Sequence, residues 1–147
     1  MINIQEVLDS EKSRINFIKG LINLSKAQEI REGSNSISNE ELELLRNSMI
    51  VLNLDEKVRH DLEALIYSNE NKIEIHFDSK KQALFFLREG LQICYVEGQY
   101  HEAEKEMMRE MALKLDVSEG KLEQLEKWVI EGMEWSERGD KYLEMEG

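Results

Sequence analysis

The chain contains no proline in 147 residues, and this absence constrains its fold more than any other feature of the sequence. Proline interrupts helices because it lacks a backbone N–H and clashes with the preceding turn, so long helices can run unbroken here. Helical periodicity supplies the positive evidence. In the segment 13–26 the apolar residues fall mostly on one helical face: Ile15, Ile18, Leu21, Ile22 and Leu24. We therefore expect an all-α protein of about six to seven helices.

Polar residues mark where some of these helices begin and end. Ser38 and Glu41 fit a capping box, in which Ser38 accepts a backbone hydrogen bond and the Glu41 side chain reaches back. Asp55 is a suitable N-cap for the following helix. We expect Gly139 to end the last helix, with a frayed tail over 139–147.

The two halves of the chain resemble each other in sequence. Gly20 matches Gly90 at an offset of 70 residues, and after the first connector the offset becomes 63. The matches at the second offset include Glu41 with Glu104, Arg46 with Arg109, Leu62 with Leu125, and Leu65 with Trp128. This repeat predicts two helical halves related by a pseudo-two-fold axis, with Trp128 in the core.

The repeat also predicts the domain organisation. A chain of 147 residues is long enough for one domain with its own core, which we place over 1–147. The first half spans about 13–68 and the second about 79–138. Between them, the linker 69–78 alternates apolar and polar residues, so we expect an extended segment held by its apolar side chains: Ile73, Ile75 and Phe77.

Gly20 and Gly90 both lie inside predicted helices. A glycine there costs roughly 1 kcal/mol relative to alanine, so two at matched positions indicate a packing requirement. We expect the first helix of each half to cross its counterpart closely at these glycines.

Composition excludes several functions. The formal net charge of −12 argues against nucleic-acid binding, which requires Lys and Arg to neutralise phosphates. No apolar run approaches the roughly 20 residues of a membrane helix, so no membrane insertion is expected. The single cysteine, Cys94, lies in an apolar run, which is typical of a buried thiol. With no secretory signal visible, we expect a cytoplasmic protein.

The acidic segment YVEGQYHEAEKE, residues 95–106, is the candidate site. Glu97 ends one predicted helix and Glu104 lies in the first turn of the next, so the connector can bring the two carboxylates together, with Gly98 as hinge. Carboxylates suit Ca²⁺ or Mg²⁺ better than Zn²⁺. The secondary candidate ligands are Glu102 and His101. The spacing is neither that of an EF-hand nor of a HExxH zinc site, and acidic residues also favour helix N-termini without any metal.

Residues 93–129 resemble the tellurite-resistance TerB-like family, and the resemblance is weaker over 13–66. Glu97-Gly98 stands where the family has an Asp-Gly helix end, and Glu104 matches the acidic residue seven positions later. The resemblance implies an all-α fold of two similar halves, in agreement with the repeat. It also implies bacterial stress resistance, including tellurite resistance, and a divalent cation at the acidic motif.

The first half departs from the family pattern. Ala27, Gln28 and Glu29 replace the acidic-Gly pair, although Glu29 and Glu41 still provide carboxylates. In the second half Glu97 replaces the family's Asp, which lengthens the ligand arm by one methylene. The sequence therefore predicts one cation site, in the second half.

No reaction is indicated by the sequence. It contains no glycine-rich phosphate loop, no nucleophile elbow and no cysteine beside an obvious base, so we expect no enzyme. The expected function is a stress-associated binding module that holds a divalent cation. The alternative is a metal-free interaction domain, binding a protein partner or forming a homodimer through its acidic surface and its C-terminal aromatic region, which contains Trp135, Tyr142 and Leu143.

Overall fold

The computed structural model describes residues 3–32, 37–96 and 100–144, without the side chains of residues 29–32 and of Val96. All regular structure in these ranges is helical, which confirms the all-α prediction. The single-turn first helix is an addition to the elements expected from sequence. The helices are α1 (Ile4–Val7), α2 (Glu11–Glu32), α3 (Asn39–Val51), α4 (Glu56–Ile66), α5 (Lys80–Val96), α6 (Glu102–Lys114) and α7 (Glu119–Glu144).

Helix α3 and the turn that follows it have a close counterpart in the second half, α6 and its turn. Helices α3 and α6 are both 13 residues long and begin at positions that the offset of 63 matches. Each is followed by a left-handed residue, Asn53 or Asp116, with the same φ of 58°. The turn is closed in both halves by a backbone bond back into the helix, Leu54 N to Met49 O at 3.1 Å and Val117 N to Ala112 O at 2.8 Å. This is the hydrogen bonding of a Schellman-type helix end.

Helices α2 and α5 pack against each other at the two matched glycines. A Cβ placed on Gly20 would lie 2.2 Å from the ring of Phe86 in α5. A Cβ on Gly90 would lie 3.2 Å from Leu24 in α2 and 2.7 Å from Met108 in α6. Each glycine thus lets a side chain of the opposite half approach the helix backbone.

The linker lies along α2 without forming a strand. Ile73 and Phe77 are buried in the core, as their alternation with polar residues predicts. Polar groups of α2 hold its backbone: the Asn23 side chain accepts from Ile73 N at 2.8 Å and donates to Ile73 O at 2.9 Å. Asn16 Oδ1 accepts from His76 N at 2.9 Å. These bonds satisfy linker backbone groups that no neighbouring strand pairs with.

The last helix differs from the prediction in two ways. It continues through Gly139 to Glu144, so the prediction that Gly139 ends it is wrong. One glycine inside a helix costs only about 1 kcal/mol, and no proline follows to stop the helix. Trp128 is half exposed rather than in the core. Among the described residues, no helix has the length and apolarity needed to cross a membrane.

Candidate functional site

The predicted ligands have different environments. Glu104 lies in the first turn of α6 and is 1% exposed. Glu102 and His101 are exposed, and Glu102 pairs with Arg109 at 3.7 Å. Glu97 and Gly98 lie outside the described residues, so the pairing of Glu97 with Glu104 stays a prediction.

Glu104 lines a small cavity where four helices meet. Its walls are Leu21, Leu24, Ser25 and Gln28 of α2, Glu41, Leu44 and Leu45 of α3, Ile93 and Cys94 of α5, and Glu104 of α6. The volume available inside is about 20 Å³, enough for one water molecule or one small ion. Cys94 is buried and not in a disulfide, as its apolar neighbours predict.

A second carboxylate faces the same cavity. Glu41 is 9% exposed and occupies the position in α3 that Glu104 occupies in α6. Its Oε2 accepts a hydrogen bond from the Ser25 hydroxyl at 2.9 Å. One of the two hydrogen bonds of the expected capping box is present, since Ser38 Oγ accepts from Glu41 N at 3.2 Å. The Glu41 carboxylate, however, points into the protein toward Ser25.

Four of the ten residues around the cavity carry side-chain oxygen atoms. Glu41 and Glu104 carry carboxylates, Ser25 a hydroxyl and Gln28 an amide oxygen, and such ligands suit Mg²⁺ and Ca²⁺. Among the described residues, no group of three or more His, Cys, Asp or Glu side chains is placed to hold a metal. Glu41 and Glu104 would therefore need neutral oxygens of α2, or Glu97, to complete a coordination shell.

Sequence reasoning missed that Glu41 shares a cavity with Glu104. The offset of 63 does match these two residues, so a signal exists in the sequence. The capping-box pattern predicts two things about Glu41. Its backbone N–H does bond Ser38 at the start of α3, as predicted. Its carboxylate does not reach back to the helix start but accepts from Ser25. Ser25, one turn earlier on α2 than Gln28, gives no sequence signal of its own.

Tyr100, which lies two residues before α6, is held by an aromatic contact and a hydrogen bond. The rings of Tyr100 and Tyr95 lie 4.8 Å apart, and the Tyr100 hydroxyl donates to Glu126 Oε1 of α7 at 2.9 Å. Burial, followed by the hydrogen bond to Glu126, raises the pKa of Tyr100 well above its usual range. This anchoring places the start of α6, and with it Glu104, against the core.

The histidines of the described chain lie away from the cavity walls. His60 and His76 are exposed, as is His101, and His76 lies 3.7 Å from the exposed carboxylate of Asp78. The candidate site is therefore built from the carboxylates of Glu41 and Glu104 rather than from the nitrogen ligands that Zn²⁺ often takes.

No protein-family model matches the chain, and comparisons with curated proteins and with solved structures also find no match. The resemblance to the TerB-like family stays a prediction that rests on residues 93–129.

Proposed function

We propose that this protein is a non-enzymatic binding module, of the stress-associated TerB-like kind, that holds one divalent cation between Glu41 and Glu104. One observation carries the proposal: two glutamates at matched positions of the repeat are buried at one cavity of ion size. Two carboxylates carry the charge that balances one Mg²⁺ or Ca²⁺. The predicted ligand Glu97, which precedes α6, supplies a third carboxylate in this proposal.

Several features support binding over catalysis. The cavity volume of about 20 Å³ is far below the roughly 300 Å³ at which small-molecule pockets begin. Its other walls are largely apolar, and they include Leu21, Leu45 and Ile93. Such a site has room for an ion but not for an organic substrate.

The proposed cation connects the two halves of the protein. Glu41 belongs to α3 in the first half and Glu104 to α6 in the second. Ser25 and Gln28, which also line the cavity, belong to α2 in the first half. Carboxylates held in one cavity repel each other, and a bound cation offsets that repulsion. Cation binding would thus stabilise the packing of the halves, and loss of the cation would loosen it.

Calorimetric titration of chelator-treated protein with Mg²⁺, Ca²⁺ and Zn²⁺ tests this proposal. We expect saturable binding of one Mg²⁺ or Ca²⁺ per chain, and its loss in Glu41→Gln and in Glu104→Gln. Matched controls are Glu40→Gln in α3 and Glu106→Gln in α6, because both side chains are exposed. No heat at millimolar ion, or equal curves for wild type and the Glu41 and Glu104 variants, would refute the proposal.

A further inference from the structure

The C-terminal part of α7 extends beyond the packed body of the protein. Every described residue from Glu134 to Glu144 is exposed, which amounts to about three helical turns. Trp135 is 71% exposed and Tyr142 is 73% exposed. A helical segment of this length is marginal in water without tertiary packing. The exposed aromatic side chains on it therefore indicate that another protein surface packs against this part of α7.

The exposed aromatic residues follow a coiled-coil spacing and alternate with glycine. Positions three and four residues apart along α7 carry, in order, Leu125, Trp128, Gly132, Trp135, Gly139 and Tyr142. Such spacing places all six on one stripe of the helix, as for the a and d positions of a heptad. A Cβ added to Gly132 or Gly139 would meet nothing within 4 Å, so each glycine leaves an open gap on the stripe.

We propose that this stripe binds the same stripe of a second copy of the chain, with the two α7 helices antiparallel. In this register Trp135 of each copy fills the gap at Gly132 of the other. Trp128 likewise packs over Gly139, and Tyr142 reaches Leu125. The arrangement is isologous, so every contact occurs twice. A parallel pairing would instead place tryptophan beside tryptophan and leave the glycine gaps empty.

Charge complementarity supports the antiparallel direction. Glu131 and Arg138 lie along one edge of the stripe, at the positions that flank a coiled-coil interface. In the antiparallel register, Glu131 of each copy faces Arg138 of the other, which gives two opposite-charge contacts per dimer. In a parallel pairing Glu131 would face the uncharged Ser136.

The body of the protein contains a groove that can bind the C-terminal end of α7 from the second copy. A groove of about 410 Å³ borders Leu125, with Leu84 and Phe85 as apolar walls and a basic lining of Lys80, Lys81, Arg88 and Lys121. The antiparallel register brings Tyr142 of the second copy to this groove, together with the negative end of its helix dipole. Arg88 already lies 5.1 Å from the ring of Trp128. A basic groove in a protein of net charge −12 is thus complementary to a helix end of the same protein.

The stripe supplies a large part of the area that a specific interface needs, and the groove adds to it. An aromatic side chain buries about 150–250 Å². These residues are 50–73% exposed, so the three in each copy supply roughly 600–1,000 Å² in the dimer, before the groove is counted. Specific interfaces begin at roughly 1,200 Å² in total. The pairing does not depend on a cation at Glu41 and Glu104.

Sedimentation equilibrium of the full chain, in chelator, tests the dimer. We expect a mass twice the monomer value of 17.3 kDa. Gly132→Leu and Gly139→Leu fill the gaps and should each weaken dimerisation on the order of a hundredfold, because each change acts twice. Since leucine is a better helix former than glycine and the gaps are open, helix content by circular dichroism should stay equal or rise.

The matched control is Gly120→Leu, because Gly120 also has nothing within 4 Å but lies off the stripe. It should leave the dimer intact. A wild-type protein that stays monomeric at high concentration would overturn the proposal and would indicate that a different protein binds the stripe. A dimer that survives both Gly132→Leu and Gly139→Leu would overturn it as well.

A charge exchange tests the antiparallel direction separately. Glu131→Arg should weaken the dimer at low salt, because it places a second guanidinium against Arg138 of the other copy, and Arg138→Glu should likewise pair two carboxylates. The double variant Glu131→Arg/Arg138→Glu should restore wild-type affinity. Failure of the double variant to recover would rule out this register.

Discussion

The side chains of Glu41 and Glu104 line one cavity, although they belong to different halves of the chain. They occupy the same position in α3 and α6, and both are at least nine-tenths buried. The internal repeat therefore brings together two acidic groups that are far apart in sequence. This relationship is the basis of the proposed cation site.

A double-mutant cycle on these two residues should be strongly non-additive. If one ion bridges Glu41 and Glu104, either single change to Gln removes most of the binding, and the double variant is little worse than each single one. The measurement is the rise in melting temperature between chelator and saturating Ca²⁺ or Mg²⁺. At a concentration about 100 times its Kd, the ion should stabilise the wild type by about 2.7 kcal/mol. Two independent sites would give additive losses.

The two matched glycines should differ in their tolerance of alanine. In Gly20→Ala the new methyl group would lie 2.2 Å from the fully buried ring of Phe86, which packs between the rings of Phe17 and Phe77. We expect a loss of roughly 1–3 kcal/mol in the free energy of unfolding, as for other overpacked cores. Gly90→Ala should cost less, because its closest neighbour is the flexible end of Met108.

Urea unfolding of the two alanine variants measures both effects, with Gly120→Ala as control. Gly120 lies in a helix with open space around it, so alanine there should stabilise the protein by up to about 1 kcal/mol. Equal stability of Gly20→Ala and wild type would contradict the close crossing of α2 and α5. The larger change to leucine at either crossing glycine should cost several kcal/mol.

The sequence predicted the fold well because the relevant signals are local or repeated. Helical periodicity located the long helices, and Ser38 and Asp55 do cap α3 and α4 through their side chains. The offset of 63 predicted that Leu62 would match Leu125, and the turns at Asn53 and Asp116 extend the match to backbone conformation.

The candidate site was harder to predict because it depends on which way side chains point. A glutamate at a helix start is usually solvated, and only tertiary packing turns Glu41 and Glu104 toward a cavity. The same limit explains Trp128. Its repeat partner Leu65 packs against the core, but Trp128 lies over Arg88 at the surface, where α7 begins to leave the body. Repeats preserve backbone positions more faithfully than side-chain environments.

The Asn23 side chain should contribute strongly to the placement of the linker. It is buried and bonds both the N–H and the carbonyl of Ile73, so Asn23→Ala leaves two buried backbone groups unsatisfied. At about 1–3 kcal/mol for each group, we expect a loss of roughly 2–6 kcal/mol in the free energy of unfolding. Asn47→Ala in α3 is the control, since Asn47 is exposed. Hydrogen exchange should also show faster exchange at Ile73 in the Asn23 variant, whereas unchanged exchange there would contradict this role.

The raised pKa of Tyr100 predicts a loss of stability in alkaline solution. In the unfolded chain a tyrosine ionises near pH 10, whereas burial and the hydrogen bond to Glu126 keep Tyr100 protonated in the fold above that pH. The unfolded state therefore binds fewer protons than the folded state above about pH 10, and stability falls as pH rises from there. The contribution of Tyr100 is fully present below about pH 10.

The variant Tyr100→Phe should separate this effect from general alkaline unfolding. At about pH 7 it should cost about 1 kcal/mol for the lost bond to Glu126. Between about pH 9.5 and 11, roughly the range in which free tyrosine ionises, its stability should fall less steeply than that of the wild type. Melting temperatures across this range give the comparison, with Tyr67→Phe as control because Tyr67 is exposed. Parallel curves for Tyr100→Phe and wild type would show that Tyr100 ionises in the folded protein as readily as in the unfolded chain.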